Sequence, residues 1–293
     1  MAEQVWTIRA LLVWAKGWLE KKGVESPRLD AELLLADALK APRIKLYAEF
    51  DKPLTPAELA KFKALLLRRA EREPVAYLLG VREFYGRPFL VDKHVFIPRP
   101  ETELLVQLAL QHLDRLLEGA AGLRALDLCA GSGAVGLSLA AERQQLAVDL
   151  VELSPEAAVV TRKNAEALVP GRPSVRVLEG DLFAPLTQGA HYEVICSNPP
   201  YIPLGDKGEL APEILRHEPH LALFGGESGL EYVARIVAAA PRWLTPGGAL
   251  FVELDPSGAQ RAKELAVQAG LVQVRIEKDL AGQDRILVAH AAL

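Results

Sequence analysis

Cysteine is almost missing from this chain of 293 residues: Cys129 and Cys196 are the only two, each inside an apolar run that reads as a buried strand or its end. A disulfide-stapled fold is therefore excluded, and with no matching His/Cys cluster a structural zinc site is too. Also missing is any stretch near the roughly 20 uninterrupted apolar residues that a membrane span requires. The run from Val5 to Leu19 comes nearest, but Arg9 and Lys16 interrupt it and no small-residue cleavage site follows, so a cytoplasmic protein is expected. No internal repeat is visible, and no low-complexity segment beyond some enrichment in alanine. A concentrated basic block is lacking as well. Residues 1–100 carry 18 Lys+Arg against 13 Asp+Glu, residues 101–293 carry 16 against 25, and the net charge is −4. Affinity for a phosphate backbone needs clustered positive charge, so no direct nucleic-acid partner is expected.

What is present is the composition of a globular protein, 50% apolar and 25% charged, long enough for one large domain and a smaller one. Val5, Ile8, Leu11, Leu12, Ala15, Trp18 and Leu19 recur at helical spacing up to Gly23. A second helix is predicted from Ser26-Pro27 to Pro42, with Ser26 as its cap, and a third from Thr55-Pro56, where Glu58 completes a capping box. Residues 1–80 therefore read as a small all-helical domain. Between Arg82 and Ile97 the period falls towards two around Gly86-Arg87-Pro88 and Asp92-Lys93, which predicts a linking β-hairpin over 81–100. Glu103 to Leu117 is helical again and meets Gly119 and Gly122 as stops. From 123 onward short apolar runs alternate with helical segments, and the last two strand candidates follow one another without a helix. That pattern predicts an α/β domain over 101–293, with a mostly parallel sheet covered on both faces and an antiparallel pair at its end.

Three places along this domain carry chemistry. Asp127-Leu128-Cys129-Ala130-Gly131-Ser132-Gly133 runs from the first strand straight into a helix, and its glycines let the backbone turn sharply and approach a ligand. The next strand ends at Glu152, an acid placed to accept hydrogen bonds from both ribose hydroxyls of an adenosine ligand. An NAD fingerprint is disfavoured because the third glycine is absent, and a bland strand-to-helix turn is the competing reading. After the third strand, Asp181 beside Leu182 can hold an adenine amino group while packing its ring, or be a solvated loop acid.

The decisive stretch is Asn198-Pro199-Pro200-Tyr201, at the carboxyl end of the Tyr192 to Cys196 strand, where open α/β sheets bind ligands. An amide nitrogen is a poor nucleophile because its lone pair is delocalised, so a site that alkylates one must position and polarise it. The Asn198 side-chain oxygen and the Pro199 carbonyl can accept both N–H bonds of one NH₂ group, which aims the nitrogen at a sulfonium methyl and stabilises the charge developing on it. Tyr201 can stack on the flat acceptor. The competing reading is a rigid turn after a strand. His217 and His220 with Glu213 or Glu218 do not assemble a ligand set, so no metal is expected. Asp255 reads as a strand-end cap before a catalytic acid.

Taken together, Pro74-Val75-Ala76-Tyr77-Leu78-Leu79-Gly80, Arg82-Glu83-Phe84, Ile97-Pro98-Arg99-Pro100-Glu101-Thr102-Glu103, the Asp127 to Gly133 turn, Asn198-Pro199-Pro200-Tyr201-Ile202 and Glu218-Pro219 make the chain resemble the HemK-type peptide chain release factor N5-glutamine methyltransferases over nearly its whole length. The Asn-Pro-Pro-Tyr motif is shared with DNA adenine and other amino methyltransferases, whereas the Pro-Arg-Pro-Glu-Thr segment is far more specific. The resemblance implies a helical domain that helps dock the release factor, and a class I, Rossmann-like methyltransferase domain. It implies S-adenosylmethionine as donor, bacterial class I release factors as partners, and the glutamine of their Gly-Gly-Gln motif as acceptor. Residues 129–133, Glu152, Leu182 and Asn198 then line the cofactor, and Asn198 to Tyr201 grip the glutamine. Cys129 and Ala130 stand where the family usually has Gly and a small hydroxyl residue, so an adjusted turn with binding intact is expected there. The alternatives are methylation of an exocyclic nucleobase amino group, which presents a similar flat NH₂, and a cofactor-binding protein without catalysis. Acidic charge over the large domain speaks against the first and the intact Asn-Pro-Pro-Tyr against the second.

Overall fold

The computed structural model describes residues 5–117 and 122–293, so Gly119 lies outside the described residues. The chain forms two compact units, one of Met1–Gly80 with Ala211–His217, the other of Val81–Leu210 with Glu218–Leu293. The first unit is helical: α1 (Ile8–Lys21), α2 (Pro27–Leu39), α3 (Arg43–Ala48), α4 (Pro56–Ala70) and α5 (Val75–Leu79). Leu11, Ala15 and Leu19 of α1, Leu34 and Leu35 of α2 and Phe62 of α4 fall at helical spacing and meet in one apolar core. The Thr55–Glu58 capping box forms in both directions. The expected Ser26 cap does not: its side chain makes no capping bond, and α2 closes earlier than predicted, at a left-handed Lys40. Within this unit Arg69, almost wholly buried, bonds Asp30 at 2.7 Å and Glu213 at 3.0 Å. Buried charges persist only when paired in this way.

The second unit opens with the hairpin β1 (Val81–Phe84) and β2 (Arg87–Leu90), whose Phe84 and Phe89 enter the core of that unit. The predicted hairpin extended to Ile97, but Val91 to Ile97 leave the sheet. Asp92 accepts the backbone N–H of His94 and its carbonyl that of Val95, and this turn ends the ladder. Beyond α6 (Glu103–Leu117) come β3 (Arg124–Leu128), α7 (Ala134–Glu142), β4 (Ala147–Glu152), α8 (Pro155–Leu168), β5 (Val175–Glu179) and β6 (Tyr192–Ser197). The short α9 (Pro212–His217) belongs with the helical unit; α10 (Glu231–Ala239), β7 (Leu244–Glu253), α11 (Ala259–Gln268), β8 (Val272–Lys278) and β9 (Asp284–His290) complete the chain.

The seven-stranded sheet has the order β5-β4-β3-β6-β7-β9-β8, parallel except where β9 pairs antiparallel with β7 and β8. Both faces are buried because inward residues alternate: Val194 and Cys196 of β6 join one core and Ile195 the other. Successive strands are added outward from β3 to one side and from β6 to the other, so the loops after these two parallel strands diverge and open a crevice at the carboxyl edge. Among the described residues no helix is long and apolar enough to cross a membrane.

Candidate functional site

A cleft enclosing about 1330 Å³ of space, its open mouth included, lies at that crevice. Of the residues singled out from sequence, Asp127, Cys129, Ala130, Gly131, Ser132, Glu152, Asp181, Leu182 and Asn198 to Tyr201 line it, and Gly133 does not. Gly133 stands behind the wall at φ +81°, where a Cβ would come within 2.8 Å of Leu137 and 2.9 Å of Thr161, so only glycine fits.

The turn after β3 is held by its own backbone and by neighbouring helices. Ala130 N–H donates to the Val151 carbonyl at 3.0 Å and Gly133 N–H to the Ala130 carbonyl at 2.7 Å. Thr161 donates to the Gly131 carbonyl at 2.7 Å. The Asn164 amide donates to the Ser132 carbonyl at 2.8 Å while its oxygen accepts Leu90 N–H at 2.7 Å, tying hairpin to turn. Cys129 takes φ +58°, a left-handed conformation costing a non-glycine residue roughly 1–2 kcal/mol. The turn therefore keeps the shape a glycine would give it, with Cys129 absorbing the strain. Asp127 is fully buried and accepts Gly136 N–H at 2.8 Å; burial pushes its carboxyl up to about 7. Glu152 accepts Gly131 N–H at 2.7 Å on one oxygen and Ser154 N–H at 2.8 Å on the other, with its pKa raised by burial against those bonds. Each carboxylate oxygen retains a further lone pair. Across the cleft Leu182 sits at φ +50°, and Asp181 is ion-paired with Arg235 at 2.6 Å.

The other side begins where the Ser197 hydroxyl donates to the Leu128 carbonyl at 2.9 Å and so clips the end of β6 to that of β3. The Asn198 amide nitrogen then donates to the Thr102 hydroxyl at 3.1 Å. Among the described residues neither the Asn198 side-chain oxygen nor the Pro199 carbonyl accepts a hydrogen bond. Burial raises the Tyr201 pKa, and its hydroxyl lies 3.4 Å from Glu253 at the end of β7. The backbone of this turn is clamped by glycines: a Cβ on Gly225 would meet the Pro200 carbonyl at 2.5 Å and one on Gly229 the Tyr201 carbonyl at 2.3 Å. Glu218, buried, pairs with Arg99 and accepts Ile97 N–H at 3.3 Å, which anchors the Pro98–Thr102 wall.

Several of these residues escaped sequence reasoning. Lys93, His94 and Phe96, expected in the linking hairpin, wall the cleft. Thr161, Asn164, Gly225, Gly229 and Glu253 act from distant segments. The signals present were the rarity of asparagine, Asn164 being the only one besides Asn198, and the glycine cluster at 225–229. Asp255 caps the following turn by accepting Ser257 N–H at 2.9 Å. Of the side chains weighed as metal ligands, Glu213 is paired with Arg69 and Arg72, and His217 lies 3.1 Å from the Glu71 carbonyl.

A doubly wound sheet with this strand order, a glycine turn and strand-end acid on one side of the switch point and Asn-Pro-Pro-Tyr on the other, defines a class I methyltransferase. The fold is shared with a methyltransferase from Pyrococcus furiosus (TM-score 0.52, 18% identity, 79% of this chain and 98% of that one) and with the hMettl16 catalytic domain (TM-score 0.57, 16% identity, 78% and 81%). Residues 102–227 match the methyltransferase small domain family and residues 10–80 the PrmC N-terminal domain. The release factor glutamine methyltransferase of Geobacter sulfurreducens is 43% identical over 97% of this chain and 96% of its own length. That of Rhodopirellula baltica is 41% identical over 98% and 97%. The chain belongs to the release factor glutamine methyltransferase family.

Proposed function

We propose that this protein transfers the methyl group of S-adenosylmethionine to the side-chain amide nitrogen of the glutamine in the Gly-Gly-Gln motif of bacterial class I peptide chain release factors. The observation that carries this reading is the pair of open acceptors at Asn198 and Pro199, with the Asn198 NH₂ turned away onto Thr102. A planar NH₂ has two N–H donors, and this pair of acceptors matches them.

The donor side fits S-adenosylmethionine by the chemistry of its groups. Glu152 retains acceptor capacity for the two ribose hydroxyls, Leu182 supplies an apolar face for the adenine, and the 129–133 turn brings backbone rather than side chain to the wall. When bound, the cofactor supplies an electrophilic methyl on a sulfonium. Asn198 and Pro199 orient the acceptor nitrogen towards it and stabilise the positive charge that grows there, while Tyr201 presents its ring to the flat amide. The proton becomes acidic only after the methyl arrives, so no base is needed beforehand. The helical unit, within the more basic first hundred residues, contributes docking of the release factor, and nucleic acid is not the acceptor.

Incubation with labelled S-adenosylmethionine and, separately, purified bacterial release factor or nucleic acid tests the reading. Label is expected on the release factor glutamine; label entering only the nucleic acid overturns it.

A further inference from the structure

Asp181 lines the cleft, and the reading above gives it no task. Its backbone is held on both sides. Gly180 N–H donates to the Glu152 carbonyl at 2.9 Å, and the Asp181 carbonyl accepts Ala184 N–H at 3.0 Å. A Cβ on Gly180 would come within 2.9 Å of Pro185, so the chain is closely packed just before Asp181. What can still turn is the side chain, and Arg235 of α10 holds it by donating to Oδ2 at 2.6 Å. The Arg235 guanidinium is itself seated 5.7 Å from the centroid of the Tyr232 ring, and Tyr232 stands one turn earlier on α10 and lines the cleft. Among the described residues the other carboxylate oxygen, Oδ1, carries no hydrogen bond.

The side chains of this ion pair are 52% and 44% exposed, a setting in which such a pair adds little to stability. What it adds is direction, since one oxygen is taken and the other is left for a ligand. Glu152 is the proposed partner of the ribose hydroxyls, and in an adenosine the base is attached directly to the ribose. Because Gly180 is bonded to the carbonyl of Glu152 itself, Asp181 and the neighbouring Leu182 are within reach of that base.

We infer that Arg235 is a positioning residue that fixes the Asp181 carboxylate so that Oδ1 meets the exocyclic amino group of the adenine, making the site selective for a 6-amino over a 6-oxo purine. The inference rests on the proposed binding of S-adenosylmethionine. A carboxylate only accepts, so it attracts the 6-amino group of adenine and repels the 6-oxygen of hypoxanthine. Hypoxanthine, however, carries an N–H at the adjacent ring nitrogen, N1. A carboxylate free to rotate swings across to that N–H and loses its preference. One held by Arg235 cannot, and the discrimination therefore belongs to the pair rather than to Asp181 alone.

Calorimetric titration of the full chain with S-adenosylhomocysteine and with its 6-oxo counterpart, S-inosylhomocysteine, tests this. The native protein is expected to bind the adenine compound about 10- to 100-fold more tightly, less than a fully buried hydrogen-bonding site achieves. Arg235→Ala is expected to cut that ratio to below about 5-fold, and Arg235→Lys to keep most of it, since a contact to one oxygen needs a single donor. Asp181→Asn should abolish or invert the preference, because its NH₂ can donate to the 6-oxygen. Glu152→Ala is the control: it should weaken both compounds alike and leave their ratio as in the native protein. A native protein that binds both compounds equally overturns the inference and leaves the cofactor reading standing. A native preference that survives in Arg235→Ala overturns it too, since Asp181 then needs no holder. Failure to bind either compound removes the cofactor reading, and this inference with it.

Discussion

On one side of the cleft Glu152 has both carboxylate oxygens bonded to backbone N–H groups within its own and the adjacent turn, whereas on the other Glu253 shares one oxygen loosely with Tyr201 and, among the described residues, buries the second without a partner. The first arrangement is built by short connections: Gly131 and Ser154 are 21 and two residues from Glu152. The second joins Thr102 to Asn198 across 96 residues and Tyr201 to Glu253 across 52. A donor that is always the same molecule can be met by rigid backbone geometry. An acceptor that must be told from water needs side chains brought together from distant segments.

The largest effect that tests this contrast is expected at Asn198. Replacement by alanine should lower kcat by roughly 10²-fold or more, the usual consequence of losing one positioned polar group, and leave cofactor affinity much less changed. Steady-state kinetics beside calorimetric titration separate the two; an equal loss in both would erase the distinction between the sides. Glu152→Ala should do the reverse. A charge-assisted acceptor for the ribose is lost, worth about 1.5–3 kcal/mol in total, so S-adenosylmethionine Kd should rise by roughly 10- to 150-fold, measured by the same titration. Unchanged Kd would remove Glu152 from the cofactor site.

Stability sharpens the comparison in the opposite sense. Burial raises the Glu253 carboxyl to about 7 in the fold, above its ordinary value of 4.5, so its contribution favours the fold below about 4.5 and is lost as pH rises through 7. At pH about 8 the buried carboxylate opposes folding, and Glu253→Gln should stabilise the protein by about 1–3 kcal/mol in denaturant titration. A destabilised Glu253→Gln protein at that pH contradicts the assignment. The smallest effect is expected at Cys129, where glycine relieves a left-handed residue and gives up a partly buried side chain. The two terms are of similar size, so Cys129→Gly should shift stability by no more than about 1 kcal/mol and leave cofactor binding intact.

The legibility of the chain follows the same division. The seven strands of the large sheet and most of its helices announce themselves through period and caps, as the capping box at Thr55 and Glu58 does. The turn at 127–133, Glu152 and the 198–201 segment are contiguous or set by adjacent strands, so spacing alone places them at one sheet edge. Thr102 stands within the segment that carries the family resemblance, yet no spacing rule says that its hydroxyl meets an amide 96 residues away. Glu253 reads as one more strand-end acid until the strand order puts β7 beside β6. The short α9 was hidden because its six residues make fewer than two helical turns, too few for a period to repeat, and its Glu213 pairs with Arg69 and Arg72 of the helical unit.

The most direct measurement is a structure of the protein with S-adenosylhomocysteine and a glutamine-bearing acceptor. The acceptor amide nitrogen is expected within about 3.2 Å of both the Asn198 side-chain oxygen and the Pro199 carbonyl. An acceptor amide bound elsewhere in the cleft, or facing a nitrogen of Asn198, would contradict it.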